Sequence, residues 1–159
     1  YLMRGTPLML QILFVYYALP IITDGAVQMD DATAAVLTFV LNYAAYLCEI
    51  FRGGIQSISR GQYEGAKVLG FTYAQTMRKI ILPQAVRLML PNFINQFVIS
   101  LKDTTIVSAI GLVELFQTGK IIIARNYQSF RMYAILAILY LVIITCLTKL
   151  AKRLEKRLK

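Results

Sequence analysis

The sequence lacks histidine and has few charged residues. His is absent from all 159 residues, and charged residues make up 16% of the chain. Without His, imidazole-based metal sites and Ser-His or Cys-His nucleophilic catalysis are excluded. The two cysteines, Cys48 and Cys146, both lie inside apolar runs, so they indicate neither a disulfide framework nor a zinc site. A soluble enzyme with such a nucleophile is therefore excluded, and no metal site is expected.

Apolar side chains are in excess. Hydrophobic residues make up 58% of the sequence, and the mean hydropathy is +0.61. Ordinary soluble domains contain about 45–50% apolar and about 25% charged residues. A soluble core of this length could not bury so many apolar side chains. We therefore predict an all-α membrane protein, because helices satisfy their backbone hydrogen bonds internally in lipid.

Four stretches of the chain could cross or deeply enter a bilayer, where a helix needs about 20 mostly apolar residues. Residues 1–159 are predicted to form a single transmembrane domain with spans at about residues 7–22, 32–50, 80–101 and 132–148. The third stretch is unusual because it contains prolines and several polar residues. Pro91 cannot donate a backbone hydrogen bond, so we expect it to bend that helix.

Basic residues are distributed unevenly between the two sides of these spans. With the C-terminal tail in the cytoplasm, 13 of the 17 basic residues fall on the cytoplasmic side. The outer loop at residues 23–31 has three aspartates and no basic residue. This asymmetry follows the positive-inside rule, so the net charge of +9 mostly reports orientation. The alternative, a nucleic-acid-binding surface, would need basic residues interleaved with exposed aromatic residues, and no nucleic-acid partner is expected.

The first residues indicate a fragment. The chain opens Tyr1-Leu2-Met3-Arg4, without an initiator Met and without a signal segment. We therefore expect the natural N-terminus to be missing. Because Arg4 is assigned to the cytoplasmic side, one more span upstream would bring the intact protein to five.

The connection between the second and third spans, residues 51–79, contains a helix with recognisable ends. Ser59 and Gln62 have the spacing of a capping box, which predicts a helix through about Leu69. Gly70 then fits the left-handed position that closes a helix. The connection is thus ordered rather than a simple linker.

A second helix is predicted in the same connection. Thr72 and Gln75 repeat the capping-box spacing and open a helix through about Ile81. Pro83 is tolerated in the first turn of a helix but not in its interior. We therefore expect a break before the third span.

Spaced motifs in and around this connection resemble those of a known family. Glu64-Gly65-Ala66, then Gly70, then Ile80-Ile81-Leu82-Pro83 resemble the Glu-Ala-Ala…Gly…Ile-x-Leu-Pro loop of binding-protein-dependent ABC transporter permeases. Gly65 stands where Ala is usual, which costs roughly 1 kcal/mol of helix propensity. Further motifs resemble the polar amino acid uptake permeases: Arg4-Gly5-Thr6-Pro7, Glu49-Ile50-Phe51-Arg52-Gly53-Gly54-Ile55, Gly61-Gln62 and Leu101-Lys102-Asp103-Thr104.

The resemblance implies the type I ABC importer permease fold and a place in the bacterial cell (inner) membrane. Such a subunit moves a polar amino acid, which it receives from an extracytoplasmic solute-binding protein. It pairs with an identical or homologous second permease and rests on two ATP-binding cassette subunits. The chain would itself be no enzyme and bind no cofactor, since ATP and Mg would be bound by the partner ATPase.

The part of the connection around Glu64 to Gly70 would then be the coupling helix, which sits in a cleft of the ATPase. The resemblance assigns this coupling to Glu64, Gly65, Ala66, Gly70, Leu82 and Pro83. A short helix held at both ends can transmit rigid-body motion. The alternative is a basic segment that lies on lipid headgroups.

Polar residues inside the spans are costly, so each is expected to face a cavity or another helix. For Asn42 we favour a hydrogen bond between helices over a substrate role. Glu49 and Arg52, three residues apart, are expected to form a structural or gating ion pair.

The third span carries the residues expected to border a substrate path. Asn92, Asn95 and Gln96 share one helical face, which borders either a translocation path or a permease dimer interface. Lys102, Asp103 and Thr104 follow directly. The opposite charges of Lys102 and Asp103 could meet the carboxylate and ammonium of an amino acid, or form an interfacial ion pair that ends the helix.

Two other functional classes are alternatives to an importer permease. A membrane-embedded structural or assembly subunit would need no substrate pathway. A membrane enzyme would need paired carboxylates, metal ligands or a phosphate loop, and the sequence contains none of these. The polar face of the third span and the spacing from Glu64 to Pro83 favour the transporter.

Overall fold

The computed structural model describes residues 2–158, with side chains through Arg153. Every regular element in that range is helical. The helices are α1 Leu2–Gly5, α2 Leu8–Ile22, α3 Asp31–Gln56, α4 Arg60–Val68, α5 Tyr73–Ile110, α6 Leu115–Asn126 and α7 Ser129–Leu158.

Two of these helices, α3 and the Ser129–Arg153 part of α7, are long and apolar enough to cross a membrane. α5 and α6, bent by 48° at their junction, could form a third span together, and α2 is a shorter apolar helix. The predicted spans at 32–50 and 132–148 lie inside α3 and α7, the one at 7–22 coincides with α2, and the one at 80–101 lies inside α5. The total of four spans stays a prediction.

Helix α3 begins at a well-formed cap. The carboxylate of Asp30 accepts hydrogen bonds from the backbone N–H of Thr33 at 3.2 Å and from its hydroxyl at 2.5 Å. These bonds, the one from the hydroxyl above all, lower the pKa of Asp30 below its ordinary value. The cap is therefore charged at neutral pH, and its contribution is lost only as the pH falls through that lowered pKa.

The predicted helix after Ser59 is confirmed. The Ser59 hydroxyl accepts a hydrogen bond from the backbone N–H of Gly61 at 3.3 Å rather than from that of Gln62, so Ser59 caps α4 without the predicted capping box. Gly70 closes the helix with φ +78°, and the N–H of Phe71 bonds back to the carbonyl of Ala66 at 3.0 Å, as in a Schellman motif. The first residues of the predicted connection, 51–56, belong to α3.

The predicted break before Pro83 is wrong. The capping box of Thr72 and Gln75 is present, but the helix that it opens runs on without interruption through Pro83 and Pro91. Residues Met77–Ile81 form a π-helical turn in which the N–H of Leu82 bonds to the carbonyl of Met77, five residues back. This wider turn accommodates the ring and the missing donor of Pro83.

Two apolar clusters hold the helices together. Ile12, Ala34, Ala35, Val107 and Ile110 join α2, α3 and the end of α5. Ile58, Ile81, Ala85 and Met89 form the second cluster, onto which Ile50 and Ile55 of α3 pack. The part of α3 between these clusters, residues 42–49, carries the polar side chains of the site.

Candidate functional site

A cavity of about 530 Å³ lies between the α1–α2 segment, the middle of α3 and the second half of α5. Its volume falls in the usual range of small-molecule pockets, about 300–1,000 Å³. The polar side chains that line it are those of Arg4, Asn42, Tyr43, Tyr46, Gln96 and Asp103, together with Thr6.

Asp103 is the anion of this cavity. The hydroxyl of Tyr43 donates a hydrogen bond of 2.5 Å to Asp103 Oδ2. A bond this short is typical of a hydroxyl donating to a carboxylate. The bond joins α3 to the C-terminal end of α5 and holds the half-buried carboxylate in one orientation at the wall of the cavity.

Arg4 is the cation among the described residues that line this cavity. Its Nη1 is 2.9 Å from Glu49 Oε1, and its guanidinium carbon is 5.8 Å from the centre of the Tyr46 ring. Arg52 Nη2 also binds Glu49, at 2.7 Å from Oε1 and 2.6 Å from Oε2. The expected contact between Glu49 and Arg52 is thus present, and Arg4 extends it to three charges.

Arg4 and Gly5 form the boundary between two cavities. They line the large cavity and also a smaller one of about 230 Å³, whose other lining residues are Glu49 and Arg52. The ion triad of Arg4, Glu49 and Arg52 therefore lies at one end of the large cavity, and Asp103 is on another wall.

A partly buried amide network fixes the short helix α1. Asn42 Nδ2 donates to the carbonyl of Met3 at 3.0 Å and to Gln11 Oε1 at 3.0 Å. Gln11 Nε2 donates to the same carbonyl at 2.8 Å and to the hydroxyl of Thr6 at 2.8 Å. Asn42 therefore serves contacts between helices, as favoured from the sequence, and these contacts place Arg4 beside the cavity.

The expected path residues of α5 are divided between two environments. Gln96 and Asp103 line the cavity, while Asn92, Asn95 and Lys102 are exposed and do not. Thr104 is also exposed, and its hydroxyl donates to the carbonyl of Leu101 at 2.8 Å. Neighbouring residues of a helix point in different directions, so Asp103 faces the cavity while Lys102 does not line it.

The residues assigned to coupling lie around α4 and the π-helical turn. Ala66 is buried, whereas Glu64, Gly65, Gly70, Leu82 and Pro83 are exposed. Large apolar side chains surround Gly70 on the surface: Val68 is 87% exposed, Leu69 75% and Tyr73 73%. α4 thus packs on the bundle through one face and presents an apolar tip outward.

Sequence reasoning missed Tyr43 and the site role of Arg4. The available signal was the polar face of α3, since Asn42, Tyr46 and Glu49 recur at spacings of four and three residues. An aromatic residue in an apolar span otherwise looks like a lipid-facing or core residue. Arg4 carried only an orientation signal and a family motif.

The chain is similar in sequence to known membrane transport proteins. Residues 1–159 match the family described as binding-protein-dependent transport system inner membrane component. The chain is 42% identical over 156 residues to the glutamine transport system permease protein GlnP of Escherichia coli (strain K12), covering 98% of this chain and 71% of that protein. It is 37% identical over 156 residues to the arginine transport system permease protein ArtQ of Bacillus subtilis (strain 168), covering 98% and 70%.

A solved structure has the same fold. It is described as the crystal structure of an amino acid ABC transporter with histidines, and it matches with a TM-score of 0.90 at 38% identity. The match covers 98% of this chain and 72% of that one. The all-α permease fold predicted from the sequence is confirmed by this likeness.

Proposed function

Because this chain belongs to the family of binding-protein-dependent transport system inner membrane components, we propose that a polar amino acid crosses the membrane along the cavity between α1, α3 and α5. The chain is an integral membrane protein and the permease subunit of an amino acid ABC importer. A structural subunit without a substrate pathway is not favoured. The observation that carries the proposal is a cavity between apolar helices that is lined by several polar side chains, one of them a carboxylate.

The proposed substrate contact is Asp103. Its Oδ2 accepts from Tyr43, and Oδ1 has no hydrogen-bond partner among the described residues. Asp103 lies where the α-helical part of α5 gives way to the 3₁₀-helical segment Thr104–Ile110, and irregular helices are common at transporter sites. The Asp103 carboxylate can pair with the α-ammonium that every amino acid carries, or with a cationic side chain. Gln96 offers a neutral donor and acceptor to the same cavity.

The other expected path residues have a place in the same proposal. Asn92 and Asn95 are exposed on α5; Asn92 lies one helical turn before Gln96, and Asn95 directly precedes it. Exposed amides on a membrane helix need a polar partner or a wet cavity, which a second permease across a shared path would supply. Lys102 and Thr104 flank Asp103 on α5 and would lie beside that path.

The partners follow from the family. We assign to the importer two ATP-binding cassette subunits, a second permease and an extracytoplasmic solute-binding protein, with ATP and Mg bound by the cassettes. The multi-pass chain would lie in the bacterial inner membrane with its C-terminus in the cytoplasm, as the charge asymmetry indicates. Glu49 and Arg52 would form a structural or gating ion pair on the cytoplasmic side.

The coupling contact is assigned to α4 and its flanking residues. The apolar tip of Val68, Leu69 and Tyr73 has no partner among the described residues and would be covered in a cleft of the cassette. Ala66 packs α4 onto the bundle, so a push on the tip would move α4 and α5 together. Glu64, Gly65, Gly70, Leu82 and Pro83 shape this unit.

The experiment is uptake into reconstituted vesicles that contain the permease, the cassettes and excess binding protein. Asp103→Asn should lower amino acid uptake by about tenfold to a hundredfold, because a hydrogen bond to a charged group contributes about 1.5–3 kcal/mol. Asp24→Asn, which changes an exposed loop carboxylate, is the matched control and should transport normally. Uptake by Asp103→Asn at the wild-type rate would refute the assignment of Asp103.

A further inference from the structure

The large cavity has one charged residue of each sign among its described lining residues. The cation is Arg4 on α1, and the anion is Asp103 at the end of α5. A free amino acid likewise has one negative and one positive group on its α-carbon. We propose that Arg4 binds the α-carboxylate of the transported amino acid while Asp103 binds its α-ammonium. This inference rests on the proposed function and adds the residue that recognises the carboxylate.

The backbone beside Arg4 is held in place before any substrate arrives. Asn42 and Gln11 fix the carbonyl of Met3, the residue next to Arg4, through bonds of 3.0 and 2.8 Å. The guanidinium lies over the ring of Tyr46, 5.8 Å from its centre. A cation fixed by backbone and ring contacts loses little further entropy when it binds a ligand.

The arginine also has donors to spare. A guanidinium carries five N–H donors in a planar fork that matches a carboxylate. The ion pair with Glu49 engages Nη1, and no other hydrogen bond of this guanidinium is present in the described part of the chain. Its remaining nitrogens can therefore reach a carboxylate in the cavity that Arg4 lines.

Glu49 stays compensated if Arg4 turns towards a ligand. Arg52 Nη2 contacts both oxygens of Glu49, at 2.7 and 2.6 Å. Removing one partner of an ion pair is costly mainly because the other charge is left alone. With Arg52 in place, the shift of Arg4 from Glu49 to a substrate carboxylate leaves no charge unpaired.

The cation in this arrangement differs from the one that the Lys102-Asp103 dipeptide could supply. Substrate contact by Lys102 was one of two alternatives from the sequence, but Lys102 is exposed and does not line the cavity. Arg4 reaches the cavity from a different helix, so cation and anion can lie on opposite sides of one ligand. The site then recognises the α-amino acid group itself and leaves the rest of the cavity to the side chain.

The test measures ligand binding to the permease–cassette complex in lipid nanodiscs, without binding protein. The probes are radiolabelled L-glutamine and L-arginine, each competed with its own α-amide, which keeps the ammonium but lacks the carboxylate. For the wild type, the α-amide of the bound amino acid should compete at least about tenfold more weakly than the amino acid. Arg4→Gln should weaken amino acid binding by about tenfold to a hundredfold and remove the discrimination against the amide.

Matched variants separate recognition from structure. Arg4→Lys keeps the charge and should keep part of the discrimination, while Arg125→Gln, an exposed arginine outside the cavity, should keep all of it. If the role of Arg4 were purely structural, Arg4→Gln would lower the yield of complex, or would weaken the binding of the amino acid and of its α-amide by the same factor. An unchanged ratio between these two affinities would overturn the inference. So would loss of discrimination in Lys102→Gln but not in Arg4→Gln.

Failure of the proposed function has a different signature. If wild-type vesicles supplied with cassettes and binding protein take up no amino acid, the proposed function is wrong, and the inference is wrong with it. If they take up an amino acid but the wild-type complex binds the α-amide equally well, only the role of Arg4 is overturned.

Discussion

At the scale of single residues, the site depends on side chains that meet from distant parts of the chain. Tyr43 and Asp103 are separated by 60 positions and share one hydrogen bond. That bond leaves one oxygen of the carboxylate for a ligand and stops the side chain from rotating. Tyr43 is thus a positioning residue for Asp103.

Removing the Tyr43 hydroxyl tests this role. Tyr43→Phe keeps the ring, and so the contacts with Phe39 and Tyr46, but Asp103 loses its donor. We expect the KM for amino acid uptake to rise by roughly tenfold, in line with the loss of a hydrogen bond to a charged group. The amount of protein in the membrane should not change.

The neighbouring tyrosine supplies the control. The Tyr46 ring lies under the guanidinium of Arg4, and Tyr46→Phe keeps that ring. Uptake by Tyr46→Phe should therefore stay near the wild-type level. Equal KM values for the two variants would show that the hydroxyl of Tyr43 has no specific role.

At the scale of helices, α3 and α5 approach closely at one glycine. A Cβ atom built on Gly54 would lie 2.2 Å from Cγ and 2.8 Å from Sδ of Met89, which is 1% exposed. The contact is close only because Gly54 has no side chain. Gly53, one position earlier, has no neighbouring atom within 4 Å of such a Cβ.

These two glycines form a matched pair of substitutions. Gly54→Ala should lower the free energy of unfolding by about 1–3 kcal/mol through overpacking against Met89. Gly53→Ala should leave stability unchanged or raise it by up to about 1 kcal/mol, since Ala favours a helix interior over Gly. Thermal unfolding of the purified variants in detergent measures both. Equal unfolding temperatures for the two variants would contradict the close contact.

The role of Gly70 in ending α4 can be tested by substitution. Its φ of +78° is strained for any residue with a side chain, although no atom lies within 4 Å of the Cβ position. The strain costs about 1 kcal/mol or more, which favours a different end to α4. Gly70→Val should therefore reach the membrane at normal levels but bring down less ATPase on purification and transport more slowly.

Gly65 is the control for that experiment. It lies inside α4 with open space around its Cβ position, so Gly65→Ala adds helix propensity without strain. That variant should retain the ATPase. Normal assembly and full transport by Gly70→Val would remove the basis for assigning coupling to this turn.

At the scale of the whole molecule, the ion triad bears on topology. Arg4 contacts Glu49, so α1 and the C-terminal end of α3 lie together. The charge asymmetry assigns both to the cytoplasmic side, and a contact between them agrees with that assignment. The N-terminal end of α3 is capped by Asp30 and adjoins the loop that has no basic residue.

Cysteine labelling checks this orientation. Cys48 and Cys146 are both exposed and are first replaced by Ser. A cysteine at Gly25 should then react with an impermeant thiol reagent added to spheroplasts with an intact inner membrane, whereas one at Gln62 should react only after lysis. Reaction of the cysteine at position 62 from outside would show that the proposed orientation in the membrane is wrong.

Much of the fold could be predicted because it depends on local interactions. Helix caps act over three residues, so Ser59 and the Thr72–Gln75 pair were recognisable from spacing alone, and Gly70 from its position after a helix. Apolar content and the motifs around Glu64 predicted the membrane class and the family. The break before Pro83 was wrongly predicted, because a π-helical turn that absorbs a proline leaves no simple pattern in a single sequence.

The site itself was decided by tertiary structure. Asp103 could be proposed from its charge near a span, but its partners could not, because the sequence does not record which faces of α1, α3 and α5 meet. The packing of the two apolar clusters brings these faces together and leaves a cavity between them. That packing makes Tyr43 the donor to Asp103 and puts Arg4, rather than the adjacent Lys102, in the same cavity.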